Sequence, residues 1–134
     1  MEAIDHDDGV VRGLPRLLLR TEGGVLLAAS ALLYAGLGVS WTAFVVLLLV
    51  PDVAMLGYLH DTRLGAFFYN LTHTYAPPAL LALIATLNGS RAAYAGALIW
   101  LAHIGMDRLL GYGLKYPTSF HHTHLGRIGT RRGD

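Results

Sequence analysis

Cysteine is absent from the 134 residues, which excludes a disulfide framework, a thiolate metal site and a cysteine nucleophile. Charge is scarce too: Asp, Glu, Lys and Arg make up 14% of the chain, against about 25% in an average soluble domain. A domain this small has so much surface for its volume that ten basic and nine acidic side chains are too few to cover it. No sign of charge dominates, the formal net charge being +1, so the field of a nucleic-acid binder is missing. What the chain does have is 54% hydrophobic residues. This arithmetic argues against a soluble fold and makes lipid the expected solvent for most of the surface. Seven histidines in so apolar a chain then need an explanation.

Residues 1–20 read as a polar, basic N-terminal segment, with Glu2, Asp5, Asp7 and Asp8 followed by Arg12, Arg16 and Arg20. From Gly23 to about Val39 there is no charge, and at 1.5 Å per residue this run measures roughly 25 Å, marginal but adequate for a bilayer core. A cleaved signal peptide is the rival reading of so short a run; the next apolar run, following almost at once, argues against it. That run extends from Trp41 to about Leu59, a third from Leu64 to 87 or 88, and a fourth from Ala92 to about Tyr112. The links near Gly38 and Ser40, at His60-Asp61-Thr62-Arg63 and at Asn88-Gly89-Ser90-Arg91 are short and polar, so neighbouring helices run antiparallel. The pattern predicts an all-α, up-down four-helix transmembrane bundle over residues 21–116 and a cytoplasmic or interfacial tail over 117–134. With both termini on one side, that side collects Arg12, Arg16, Arg20, Arg63, Arg108, Lys115, Arg127, Arg131 and Arg132, leaving Arg91 opposite. The positive-inside rule then predicts a multi-pass protein of the cytoplasmic membrane with both termini cytoplasmic. Tyr112, Lys115 and Tyr116 fit an interfacial anchor, and Trp41 one at the outer end.

Ionisable groups inside a span cost about 2.5–3.5 kcal/mol each on insertion scales, so each needs a reason. Counted from the cytoplasmic ends, Asp52, Asn70, His73, His103 and Asp107 all fall at a depth of roughly 8–14 Å. Asn70 and His73 are three apart, and His103 and Asp107 four apart, so each pair shares a helix face. Pro77 removes the helix bond to the carbonyl of His73 and Pro78 that of Thr74, which predicts a wet cavity beside His73. Neutral imidazoles and carboxylates suit zinc, iron or manganese, and Asp52, His73, His103 and Asp107 could supply three or four ligands. The plainer reading is a hydrogen-bonded network that holds the helices in register. In the tail, His124 is the expected ligand or proton donor to this layer, while a solvated segment whose histidines only titrate is the alternative. His6 and His60 read as incidental. Glu22 either favours its helix N-terminus or pairs with Arg108.

Several strings carry a resemblance. They are Leu-Leu-Arg-Thr-Glu-Gly at 18–23, Pro-Asp at 51–52, Leu-Gly-Tyr at 56–58 and Tyr-Asn-x-x-His at 69–73. The most specific are Trp100-Leu-Ala-His-Ile-Gly-Met-Asp-Arg108, Gly-Tyr-Gly-Leu-Lys-Tyr at 111–116 and Thr-His-Leu-Gly at 123–126. Over roughly residues 17–129 the chain resembles the family of domain of unknown function 4260. The resemblance implies a small bacterial four-span membrane protein and brings no established reaction. It matches the family's motif residues at Glu22, Asp52, Asn70, His73, His103, Asp107, Arg108 and His124, and leaves His60, His121 and His122 outside. The membrane-bound metal-dependent hydrolases are similar in scattering His and Asp over short helical chains, but their motifs do not align here. The histidine clusters of di-iron hydroxylases and desaturases fit worse.

The function expected is a membrane enzyme with a cytoplasm-facing His/Asp site, dependent on a divalent metal and acting on a lipid or other apolar small molecule. Asp52, His73, His103 and Asp107 would be the ligands, Asp107 or His124 would handle protons, and Asn70 and Arg108 would orient or neutralise an anionic group. An ion, proton or metal binding or transport protein, and a structural network without a reaction, stay open beside it.

Overall fold

In the computed structural model of the protein, residues 9–128 are described; the polar start at 1–8, with His6, and the basic Arg131 and Arg132 lie outside them. Five α-helices follow one another: α1 (Gly13–Ala35), α2 (Trp41–Leu47), α3 (Thr62–His73), α4 (Ala76–Leu87) and α5 (Arg91–Leu110), with a 3-10 helix at Val50–Leu59. The expected all-α class holds. Its element boundaries differ from the apolar runs in three places, each with a local cause.

The first helix starts at Gly13 rather than near Gly23, so Arg16 and Arg20 are helical rather than part of a polar leader. They are held there by acceptors: Arg20 Nε donates to the Leu109 carbonyl (2.9 Å) and Arg16 Nε to that of Leu125 (2.6 Å). Carbonyls at the end of α5 have no partner within their own helix, so a nearby guanidinium is bound well. The second run opens as α2, with Ser40 Oγ accepting from the Thr42 N–H at 3.1 Å, and tightens to a 3-10 helix where Pro51 supplies no N–H. The third run is two twelve-residue helices instead of one. Pro77 and Pro78 form the first turn of α4, and the chain before them turns extended at Thr74 (ψ 154°). Asp61 caps α3 by accepting from the Leu64 N–H at 2.7 Å, a bond that holds its exposed carboxyl below the usual carboxylate range.

α5 is the centre of the packing, with α1 and α4 against it and α3 against the 3-10 helix. Residue 20 meets 109 and residue 23 meets 105, so α1 and α5 are antiparallel. They cross at Gly23 and Gly105, where a Cβ on Gly105 would stand 2.6 Å from the Gly23 carbonyl oxygen and 2.8 Å from Leu27 N. Nearer the other end, Tyr34, Phe44, Leu98, Ile99 and Ala102 form the buried apolar cluster, and the Tyr34 hydroxyl donates to the Ser40 carbonyl. After Gly111, left-handed at φ 91°, the tail folds back over the end that carries Arg16 and Arg20. It forms a two-residue hairpin, β1 (His122–Thr123) against β2 (Gly126–Arg127). The Val11 N–H donates to the His124 carbonyl at 2.7 Å.

Outside this core, large apolar side chains face outward along every long element, among them Leu17, Leu32, Val45, Leu56, Leu83 and Leu87. Two segments, Gly13–Ala35 and Trp41–Leu59, are long and apolar enough to cross a membrane.

Candidate metal centre

Four donors from three parts of the chain meet beside α5. Asp52 comes from the first turn of the 3-10 helix, His73 is the last residue of α3, and His103 and Asp107 lie one turn apart on α5. The donor atoms all lie within 4.8 Å of one another. His73 Nε2 is 3.1 Å from His103 Nε2, 3.2 Å from Asp52 Oδ1 and 3.5 Å from Asp107 Oδ2. His103 Nε2 is 3.3 Å from each of the same carboxylate oxygens. Both imidazoles are buried, and the carboxylates are partly so. The spacing of the pairs and their common depth thus do bring Asp52, His73, His103 and Asp107 together.

His73 Nδ1 lies 2.8 Å from the Tyr69 carbonyl, which can only accept, so Nδ1 carries the proton and Nε2 of the neutral ring presents its lone pair. That lone pair faces two carboxylate oxygens and a second imidazole nitrogen. A proton on one ring bonds well to one of these neighbours at a time, whereas a divalent cation satisfies all four. Bonds of about 2.0–2.1 Å to one ion set neighbouring donors about 3.0–3.4 Å apart; four of the five separations above fall in that range and the fifth, His73 to Asp107, is 3.5 Å. The residues therefore fit a zinc, iron or manganese ion. One feature departs from a complete outer shell: His103 Nδ1 is buried without a hydrogen-bond partner among the described residues.

Around the donors, neighbours fix orientation. The Tyr69 ring stacks on His73, centroids 3.7 Å apart and 7° from parallel, and its hydroxyl is 3.5 Å from Asp107 Oδ2. The Thr72 hydroxyl lies 2.9 Å from His73 Nδ1, and Trp100 Nε1 donates to the Thr72 carbonyl at 2.6 Å. The His73 carbonyl freed by Pro77 accepts from Arg108 Nη2 at 2.9 Å. A buried guanidinium thus partners that carbonyl.

The other expected site residues are placed around the tail. Arg108 is committed to the His73 carbonyl and lies over the Tyr75 ring; among the described residues it makes no ion pair with Glu22, which is exposed. Asn70 accepts from the Lys115 N–H (2.6 Å) and donates to the Lys115 carbonyl (2.8 Å). His124 Nδ1 accepts from the Leu114 N–H at 2.9 Å; burial, with Arg108 nearby, holds its imidazole below its ordinary value. His60 is exposed against Asp61, His121 is exposed, and His122 bonds Thr118. Lys115, expected as an interfacial anchor, is only 3% exposed. Its Nζ sits 3.7 Å from the centroid of the Phe120 ring and 4.7 Å from that of Tyr69. Burial pushes its ammonium down to about 8, against the raising pull of Asp107 and Asp52. Its place in the Gly-Tyr-Gly-Leu-Lys-Tyr string was the signal for it; Tyr69 carried the same signal in Tyr-Asn-x-x-His.

The model of a family described as a domain of unknown function, DUF4260, matches residues 16–128. The chain belongs to this family. The DUF4260 match includes all four donors, together with Glu22, Asn70, Arg108, Lys115 and His124. No curated protein and no solved structure matches the chain.

Proposed function

We propose that this DUF4260 chain is a multi-pass protein of the cytoplasmic membrane and a metal-dependent enzyme, a hydrolase of lipid-like molecules. The observation that carries the reading is the convergence of four donor atoms within 4.8 Å of one another, five of their separations at 3.1–3.5 Å, beside a cavity. The membrane reading rests on the two segments long enough to cross and on the outward apolar side chains, which a water-facing surface of this extent would not retain. Both termini would be cytoplasmic, and α3 and α4, each too short alone, would together make one kinked span.

In this reading His73 and His103 bind through Nε2, and Asp52 and Asp107 through one oxygen each. A divalent ion held there supplies Lewis acidity and activates water at neutral pH. Asp107, with the Tyr69 hydroxyl beside its oxygen, is the group placed to take or return a proton. Arg108 fixes the His73 carbonyl and Asn70 fixes the tail, so they position the site through backbone contacts.

Elemental analysis of the detergent-purified full chain, with hydrolysis assays on lipid esters before and after chelation, tests this. One ion per chain and activity lost with it are expected; a metal-free chain that takes up none of the three ions on titration overturns it. Single cysteines at positions 10 and 90 test the orientation. Periplasmic labelling at 90 and protection at 10 are expected, and the reverse pattern refutes it.

A further inference from the structure

The cavity beside the donors is about 280 Å³, and its wall includes Asp52, Tyr69, Asp107, Tyr112, Lys115 and Phe120. Among the described residues of that wall Lys115 is the single cation. Its part in the fold is played by its backbone, whose N–H and carbonyl both bond Asn70. The ammonium lies against two aromatic rings, and among the described residues no carboxylate stands within ion-pair distance of it. A buried cation whose direct contacts are ring faces, with the Asp107 and Asp52 charges only at longer range, is under-compensated for the water it has lost.

A charge count turns this into a preference, and it rests on the metal reading above. Two carboxylates and a divalent ion sum to zero, and neutral imidazoles add nothing. Lys115 then leaves the cavity with one positive charge. A second cavity, about 330 Å³ and apolar, is walled by Leu47, Val50, Leu81, Ile99 and Trp100. Pro51 and Thr72 also line it, and they directly precede the donors Asp52 and His73. The cationic space therefore borders the donors Asp52 and Asp107, and the apolar space is walled by the residues that directly precede Asp52 and His73.

We infer that the centre takes an amphiphile with a phosphate headgroup, the anion held by Lys115 beside the donors and the alkyl chain in the apolar cavity. A lysine ammonium is a point-charge partner for phosphate, and a hard divalent ion favours phosphate oxygen over neutral ligands. A free phosphate shares the headgroup chemistry but has no use for the second cavity.

Calorimetric titration of the metal-loaded, detergent-purified full chain separates the two sources. Dodecyl phosphate, inorganic phosphate and dodecanol are the probes, with Lys115→Met and Lys115→Arg as variants and metal content measured on each sample. Dodecyl phosphate is expected to saturate at one per chain, and to bind at least roughly tenfold tighter than inorganic phosphate or dodecanol. Lys115→Met is expected to weaken it roughly 10- to 100-fold, the loss of one charged contact, with metal content unchanged, while Lys115→Arg keeps most of the affinity. Equal affinity for dodecyl phosphate and inorganic phosphate overturns the amphiphile. A Lys115→Met chain that keeps its metal and binds as the parent does overturns the role of Lys115. A metal-loaded chain that binds no phosphate overturns this inference alone, whereas a chain that takes up no metal overturns the metal reading and this one with it.

Discussion

His103→Ala removes one of the four donors, and its consequences differ in kind between a metal centre and a helix-joining network. The side chain contributes Nε2 contacts of 3.1, 3.3 and 3.3 Å to His73, Asp52 and Asp107. As polar contacts between membrane helices these are worth about 0.6–2 kcal/mol, and their loss would lower the melting temperature whether or not a chelator is present. As a ligand, His103 carries a share of about 10–16 kcal/mol of binding spread over four donors, about 2.5–4 kcal/mol, so the affinity falls roughly 10²- to 10³-fold. An ion at about 100 times its Kd stabilises the folded chain by about 2.7 kcal/mol. The parent should therefore melt lower after chelation, and the His103→Ala chain should be indifferent to it. Asp107→Asn, nearly the same shape with the charge removed, should also lose the ion while keeping the packing. Melting curves with and without chelator, read beside metal content, decide it. A parent that binds no added ion and melts alike in both conditions, with His103→Ala destabilised, refutes the metal centre.

Asn70→Ala loses two bonds to the Lys115 backbone and should cost about 1–3 kcal/mol; hydrogen exchange should rise over residues 112–125, and unchanged protection there contradicts the tail-holding role. Gly105→Ala puts a Cβ against the Gly23 carbonyl and should destabilise by about 1–3 kcal/mol. Gly96→Ala, which meets nothing within 4 Å, should be neutral or stabilising by up to about 1 kcal/mol, and similar melting of the two variants would be inconsistent with a close α1–α5 crossing. His124 has its folded value below its ordinary 6.5, so the unfolded chain takes its proton first. The stability it contributes is present above pH 6.5 and is lost as pH falls through the folded value. The slope of stability against pH below 6.5 should flatten in His124→Ala, and an unchanged slope speaks against it.

Much of the site was legible because it is written in short spacings. His103 and Asp107 are one helical turn apart, and Asn70 and His73 nearly so; their distances from the helix ends put them and Asp52 in one layer. What was not legible depends on long-range partners. Arg16 and Arg20 look like a polar leader until the carbonyls of Leu125 and Leu109, about a hundred residues away, accept from them. Lys115 looks like an interfacial anchor until Asn70, 45 positions earlier, ties its backbone down and the returning tail closes Phe120 over its ammonium. Pro77 frees the His73 carbonyl, but a missing donor does not say what replaces it. Arg108, itself read as a ligand-binding group, filled that place.

The coordination number separates an enzyme from a metal-stapled fold, because a zinc with four protein ligands is closed. A tetrahedron with bonds of about 2.0–2.1 Å has six equal donor separations of about 3.3–3.4 Å. An octahedron with bonds of about 2.1 Å has neighbours about 3.0 Å apart and opposite donors about 4.2 Å apart. Five separations here are 3.1–3.5 Å, and the sixth, between the two carboxylates, is bounded at 4.8 Å. All five exceed the octahedral 3.0 Å and four of them lie nearer the tetrahedral figure, so an open site depends on the carboxylate pair being the long separation. Were the two carboxylates to bind opposite one another, two adjacent positions would be left for water and substrate, and Asp52 and Asp107 are the two donors that line the cavity with Lys115. X-ray absorption on the loaded chain should then count five or six light-atom neighbours, falling to four protein donors when the cavity is dried by detergent exchange into an apolar medium. Four neighbours in the hydrated protein, unchanged by added dodecyl phosphate, would mean a closed site with no place for a substrate.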